Sequence, residues 1–335
     1  MTVDQRALSA DGLRALSDLA TPMAIRVAAT LHLADQLAKG RQGSVELADT
    51  VGVDAGVLDR LLQHLRQVGV VQQDETQHFY LTPAGEALRS DHPSSLRSSL
   101  DLEGPLGRAD LSLIYLLHSV RTGKAAFPLL YGTGFWEDLA AQPRLAASFH
   151  QQMASYSSLA ADALVSAHDW GTLTHLTDVG GGNGRLLSAI LTTYPHLRGT
   201  VVDQPAAVEE AMARFTEEGL ANRASAVVGD FFDEVPTGAD GYLLSTILHD
   251  WDDASAQKIL RRCAQAAGPT GSIFVAEWAG PDAASRITDM DLRMLAYYGG
   301  RERGVPELTE LAESSGLRVM STHPAGALVV MRLAH

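Results

Sequence analysis

Residues Asp178-Val-Gly-Gly-Gly-Asn-Gly184 set glycines at 180, 181, 182 and 184, between an apolar run that reads as a strand and one that reads as a helix. Glycine at such a turn lets a ligand approach the backbone and leaves the helix N-terminal amides free to donate. The dinucleotide fingerprint G-x-G-x-x-G fails at its third glycine, where Arg185 stands, and no Gly-Lys-Ser/Thr follows for a triphosphate loop. Gly180, Gly182 and Gly184 instead fit G-x-G-x-G, so the expected ligand approaches the loop without a pyrophosphate.

Four further groups stand at the ends of apolar runs. Asp203 closes the second run; it can accept both hydroxyls of a ribose, or cap the helix that opens at Pro205. Asp230-Phe231 follows the third, where an acid and an aromatic ring can bind and stack an adenine, or form a turn over a core phenylalanine. The fourth runs into Leu248-His-Asp-Trp-Asp-Asp253, and Asp252 or Asp253 can cap the following helix. His249 sits where α/β sheets place ligands, beyond the strand C-termini. Glu277 ends the fifth run and Glu302 lies in Gly-Gly-Arg-Glu-Arg-Gly; two carboxylates on one imidazole would fix its tautomer and raise its basicity. Neither a Cys/His cluster at metal-ligand spacing nor a Gly-x-Ser-x-Gly elbow is present, so no metal is expected.

The elements that must position these groups follow from periodicity. Thr174–Val179, Gly199–Val202, Ser225–Val228, Gly241–Leu248 and Ser272–Ala276 read as buried parallel strands, with helices at Arg185–Thr193, Ala206–Phe215 and Ala254–Ala267 between them. Leu317–Thr322 and Ala327–Leu333 are joined by so few residues that they must pair antiparallel. This predicts an α/β fold, a Rossmann-like doubly wound sheet closed by an antiparallel C-terminal strand. Upstream, Leu58, Leu61, Leu62, Leu65 and Val68 share a helical face, preceded by a short helix over Val45–Val51 and followed by a hairpin across Asp74-Glu-Thr. That order is a winged helix-turn-helix. The expected division is 1–100 winged helix, 101–168 helical connector or lid, and 169–335 catalytic sheet.

Composition narrows the class. The 335 residues carry 40 acidic and 26 basic side chains, a net charge of −14, and the first hundred residues are themselves acidic on balance. The helix over Leu58–Val68 exposes Asp59, Arg60, Gln63, His64, Arg66 and Gln67 rather than a basic stripe, so dimerisation is expected of the winged helix and not nucleic-acid binding. No apolar run is long enough for a membrane span and no leader is visible at the N-terminus. With a single cysteine, Cys263, the chain reads as cytoplasmic.

In combination and order, Asp-Val-Gly-Gly-Gly-x-Gly, the strand-end Asp203, Gly-Asp-Phe-Phe, Leu-His-Asp-Trp-Asp-Asp and Gly-Gly-Arg-Glu-Arg resemble the S-adenosylmethionine-dependent small-molecule O-methyltransferases related to plant caffeic acid O-methyltransferases. The closer likeness is to bacterial members that methylate mitomycin, naphthoate and anthracycline antibiotics. It spans nearly the whole chain, including Leu19-Ala-Thr-Pro-Met-Ala-Ile-Arg26 and Phe135-Trp-Glu-Asp-Leu139. The resemblance implies a homodimer interlocked through the N-terminal region, S-adenosyl-L-methionine as cofactor and S-adenosyl-L-homocysteine as product.

Carried across by motif, Gly180 and Gly182 would line the methionine part of the cofactor. Asp203 would bind its ribose, Asp230 and Phe231 its adenine, with Trp251 packing nearby. Ser245 stands where plant members commonly have lysine. His249 matches the family's base, and Glu277 and Glu302 the acids beside it. Some anthracycline-type relatives lack this histidine and work by positioning or other chemistry, such as decarboxylation or hydroxylation; its presence favours methyl transfer to a phenolic hydroxyl. Met153, Met294 and Tyr297 are candidate walls of an aromatic pocket, and Arg14 a candidate partner for an acceptor carboxylate. The alternative for the whole chain is a winged-helix regulator that senses a small molecule.

Overall fold

The computed structural model describes residues 9–278 and 287–335, with the backbone alone for 154–160. They fall into two compact units, Met1–Leu111 and Ser112–His335.

In the first unit, helices Ser44–Val51 and Ala55–Gln67 meet at Gly52, whose φ of +73° a residue with a side chain adopts only with strain. Asp54 caps the second helix by accepting from the Val57 amide at 2.8 Å. Leu47, Leu58, Leu62 and Leu65 are buried against Val71 and Phe79 of a two-stranded antiparallel wing, β1 (Val71–Gln73) and β2 (Phe79–Leu81). Asp74 ties the wing's turn by accepting from the Thr76 and His78 amides. Leu13, Leu16 and Leu19, on and just beyond the Ala10–Leu16 helix, are exposed.

The second unit is built on a seven-stranded sheet of β3 (His175–Val179), β4 (Arg198–Asp203), β5 (Ala224–Val228), β6 (Gly241–Ser245), β7 (Ser272–Trp278), β8 (Arg318–Ala325) and β9 (Leu328–Ala334). Their order is β5-β4-β3-β6-β7-β9-β8; the first five are parallel, and β9 enters antiparallel between β7 and β8. Alternate residues divide between two cores, as a pleated strand requires. Tyr242, Leu244, Ile273 and Val275 join Ile259, Leu260 and Leu311 on one face, while Leu243, Phe274 and Ala276 join Trp170, Leu187, Ile190 and Phe215 on the other.

Two strands differ from the pattern that their sequences predict. β5 is not a buried strand: it lies at the sheet edge and leaves Val227 and Val228 exposed. The fourth strand stops at Ser245 rather than Leu248 because Thr246 takes φ +53° and a 3-10 turn, Leu248–Asp250, follows. A β-branched residue avoids that conformation. Here the Thr246 amide donates to the Ala276 carbonyl at 2.8 Å, and its hydroxyl donates to the Ser245 carbonyl at 2.7 Å.

Strand order reverses between β3 and β6, and an open α/β sheet takes its ligand in the crevice beyond the strand C-termini at that switch point. The glycine loop, Asp203, Asp230, the 248–253 turn and Glu277 all emerge along this edge.

Candidate active site

The glycine loop begins where β3 ends. Gly180, Gly182 and Gly184 all have positive φ, and a side chain on Gly180 would meet Ile247 Cδ1 at 2.5 Å. Asp203 does not take up its alternative role as a helix cap, because Gln204 holds that position without a side-chain bond. Its Oδ2 instead accepts from the Gly182 amide at 2.8 Å and its Oδ1 from the Gln204 amide at 2.7 Å, which ties the loop to the end of β4. Burial raises its pKa, opposed by those two amides and the charge of His150. His150, on the long helix Pro143–Ala167, pairs with Glu210 at 3.0 Å.

Sequence reasoning passed over Asp178. Its carboxylate is 1 % exposed, its Oδ2 has no partner, and a side chain on Gly181 would meet its Cγ at 2.6 Å, so it underlies the loop. Burial and then the charge of Asp203 push it up to about 7. Buried Asp178 and half-buried Asp203 beneath the glycine loop make an acidic cradle suited to a cationic ligand with a hydroxylated sugar.

Asp230 turns the chain after β5, its Oδ1 accepting from the Phe232 amide at 2.8 Å. Phe231 and Phe232 pack edge-on against Trp251, with centroids 5.9 and 4.6 Å away, and Phe231 reaches toward Gly180. Ser245 is the last residue of β6, where its carbonyl takes the Thr246 hydroxyl.

Around His249 the arrangement is dense. Nδ1 lies 2.8 Å from Glu302 Oε1, 4.0 Å from Glu277 Oε2, and Nε2 lies 3.5 Å from Asp250 Oδ1. An ionised carboxylate only accepts, so the Glu302 contact places a proton on Nδ1 and leaves the Nε2 lone pair free in the neutral ring. Glu277 is too distant to share that bond. Its Oε1 accepts from the Ile247 and Leu248 amides at 3.2 and 2.8 Å, so it pins the turn carrying the histidine. Burial pulls the imidazole pKa down, but Asp250, Glu277 and Glu302 more than reverse this and push it up to about 10. Asp250 and Glu277 are pushed up to about 7 by their own burial.

The Gly-Gly-Arg-Glu-Arg loop grips this turn from behind. Buried Arg303 donates to the Leu248 carbonyl at 2.7 Å and the Trp251 carbonyl at 2.9 Å, and forks onto Asp253. The Arg301 amide donates to the His249 carbonyl at 2.9 Å. A side chain on Gly300 would strike that carbonyl oxygen at 2.2 Å, so only glycine permits the approach. The sequence showed this loop as the source of one acid; its clamp function was carried by the arginines on either side.

The helix Thr288–Tyr298 packs on the turn and buries Met294 and Tyr297. Tyr298 stacks on Trp136 at 5.3 Å, and burial, with Asp250 nearby, raises its hydroxyl pKa. Phe127, Phe135 and Phe149 complete the aromatic cluster. Met153 is half-buried on the Pro143–Ala167 helix. Arg14 belongs to the first unit, where it is exposed. Among the described residues no group of three or more His, Cys, Asp or Glu could hold a metal, and no helix is long and apolar enough to cross a membrane.

Comparison with known proteins gives consistent matches. Residues 113–318 match an O-methyltransferase domain and residues 13–91 an O-methyltransferase dimerisation domain. The chain is 49 % identical, over 96 % of its length and 97 % of the relative's, to a 2,7-dihydroxy-5-methyl-1-naphthoate 7-O-methyltransferase of Streptomyces carzinostaticus. It is 44 % identical, over 94 % of its length and 86 % of the relative's, to the aclacinomycin 10-hydroxylase RdmB of Streptomyces purpurascens. Among solved structures it superposes with a TM-score of 0.93 on NcsB1, an O-methyltransferase from neocarzinostatin biosynthesis in complex with S-adenosylmethionine and 2-hydroxy-5-methyl naphthoic acid. That match has 49 % identity and covers 96 % of this chain and 98 % of the other.

Proposed function

Since the chain belongs to the O-methyltransferase family, we propose that it methylates a phenolic hydroxyl of an aromatic natural product or precursor, with His249 as base. The observation that carries the reading is the His249–Glu302 contact at the mouth of the switch-point crevice. When bound, S-adenosylmethionine supplies an activated methyl group on a sulfonium. Asp178 and Asp203 provide the negative cradle its charge requires, Gly180 and Gly182 admit its methionine end to the backbone, and Asp203 takes the ribose hydroxyls. Asp230, Phe231 and Trp251 hold the adenine, beside Ser245 at the end of β6.

His249 Nε2 accepts the proton of the acceptor hydroxyl, while Glu302 keeps Nδ1–H oriented and stabilises the imidazolium that forms. A phenol has a pKa of about 10. An imidazole raised toward the same value makes the proton transfer nearly thermoneutral, and its unprotonated fraction grows with pH. Met153, Met294 and Tyr297, with the 112–167 helices, wall the acceptor pocket, and the dimerisation region joins two copies. The 44 % identity to a hydroxylase supports hydroxylation as the second reading, and the oriented His249 weighs against it.

Calorimetric titration with S-adenosyl-L-homocysteine tests the cofactor half. Micromolar binding lost in Asp203→Ala supports it, whereas no binding to folded protein rejects both cofactor-dependent readings. Methyl transfer to a panel of phenols tests the rest.

A further inference from the structure

Among the described residues, the Gln152 carboxamide and the Trp136 indole N–H, beside the aromatic cluster, have no hydrogen-bond partner. Gln152 is 6 % exposed, yet neither its Nε2 nor its Oε1 is hydrogen-bonded, and Trp136 Nε1 is likewise buried and unpaired. Each such group left unsatisfied costs roughly 1–3 kcal/mol. A core could avoid that cost with leucine and phenylalanine of similar shape, so retained polarity points to a ligand group that completes the bonds.

Their place in the fold says which ligand. The helix Thr288–Tyr298 packs on the Leu248–Asp250 turn that carries His249, and Tyr298 ends that helix. Tyr298 stacks on Trp136, and Trp136 packs edge-on against Phe149 with centroids 5.6 Å apart. Gln152 follows Phe149 by three residues on the same helix, hence on the same face one turn along. An aromatic wall therefore leads from the base to an unpaired carboxamide and indole N–H.

We propose that Gln152 and Trp136 form the polar end of the acceptor pocket and select acceptors carrying a second hydroxyl, remote from the one that faces His249. The assignment rests on the methyltransferase reading above. One hydroxyl matches this set: it donates to Gln152 Oε1 and accepts from Trp136 Nε1–H or Gln152 Nε2–H through its two lone pairs. A monohydroxylated ring of the same size leaves all three protein groups desolvated and unpaired, and a site built to bond a hydroxyl rejects the analogue lacking it strongly.

The test measures binding to the S-adenosyl-L-homocysteine complex, so no turnover is needed. The probes are 1,3-, 1,6- and 2,7-dihydroxynaphthalene against 1- and 2-naphthol. In the wild type the best diol should bind at least about tenfold tighter than either naphthol, the effect of one retained bond. Gln152→Leu should bring diol and naphthol within about threefold by weakening the diol alone, and Trp136→Phe should remove part of the preference. Gln152→Met, an unbranched replacement, serves if the leucine variant does not fold. No diol preference in the wild type, or a preference unchanged in the folded Gln152 variants, overturns the proposal and leaves the methyltransferase reading standing. Failure of every aromatic probe to bind overturns this proposal alone, whereas failure of folded protein to bind S-adenosyl-L-homocysteine overturns the methyltransferase reading as well.

Discussion

Replacing Glu302 by Gln separates charge from geometry at the base. Glu302 is fully buried and its Oε1 lies 2.8 Å from His249 Nδ1. A glutamine can offer its amide oxygen at the same place, so Nδ1–H keeps an acceptor while one negative charge is lost. A hydrogen bond to a charged group contributes about 1.5–3 kcal/mol, against 1.36 kcal/mol per pKa unit, so the imidazole should become about one to two units more acidic. The sign follows from the protonated ring being the stabilised form: removing a carboxylate destabilises imidazolium, and the unprotonated base appears at lower pH. In the wild type, where the cluster pushes His249 up to about 10, log(kcat/KM) for methyl transfer should still be rising above neutral pH. In Glu302→Gln the rise should level off about one to two units earlier. Ionisation of the acceptor contributes to both profiles equally, so the displacement between them belongs to the enzyme. NMR titration of the His249 ring gives the same displacement without any acceptor. Profiles that superpose would refute the claim that Glu302 sets the state of His249.

His249→Ala should lower kcat by about 10²–10⁴-fold, the usual worth of a positioned base, while S-adenosyl-L-homocysteine binding measured by calorimetry is unchanged; full activity would remove His249 from the role. Gly180→Ala should weaken S-adenosyl-L-homocysteine binding and lower Tm more than Gly182→Ala. Both carry positive φ, but only at 180 does the added carbon meet a neighbour, Ile247, at 2.5 Å. Equal effects would show that backbone strain alone matters. Asp178→Asn should stabilise the ligand-free protein at pH 8 but not at pH 4. The folded carboxyl is raised to about 7, so its contribution is present below about pH 4, and is lost as pH rises to 7. About three units correspond to roughly 4 kcal/mol, and a pH-independent difference in Tm would contradict the sign.

The sequence made the fold legible wherever one local rule decided the matter. Leu58, Leu62 and Leu65 share a helical face because of the 3.6-residue period, and the short link at Pro324-Ala-Gly permits only antiparallel pairing of β8 with β9. Local rules misplaced the end of β6 because the residues there are apolar and β-branched, yet Thr246 is held at positive φ by a carbonyl on β7 thirty residues away in the chain. The same long-range turn aims the Ile247 and Leu248 amides at Glu277 and sends His249 toward Glu302. Motifs named the histidine and two acids, but which acid would hold the ring depended on separations of 2.8 and 4.0 Å that no spacing along the chain encodes. Arg303 shows why. Two of its partners, the Leu248 and Trp251 carbonyls, are backbone atoms, and a backbone acceptor leaves no residue type to read. Gln152 and Trp136 escaped notice for the converse reason: no partner among the described residues completes their bonds, so the signal lay in the burial of their unpaired polar atoms.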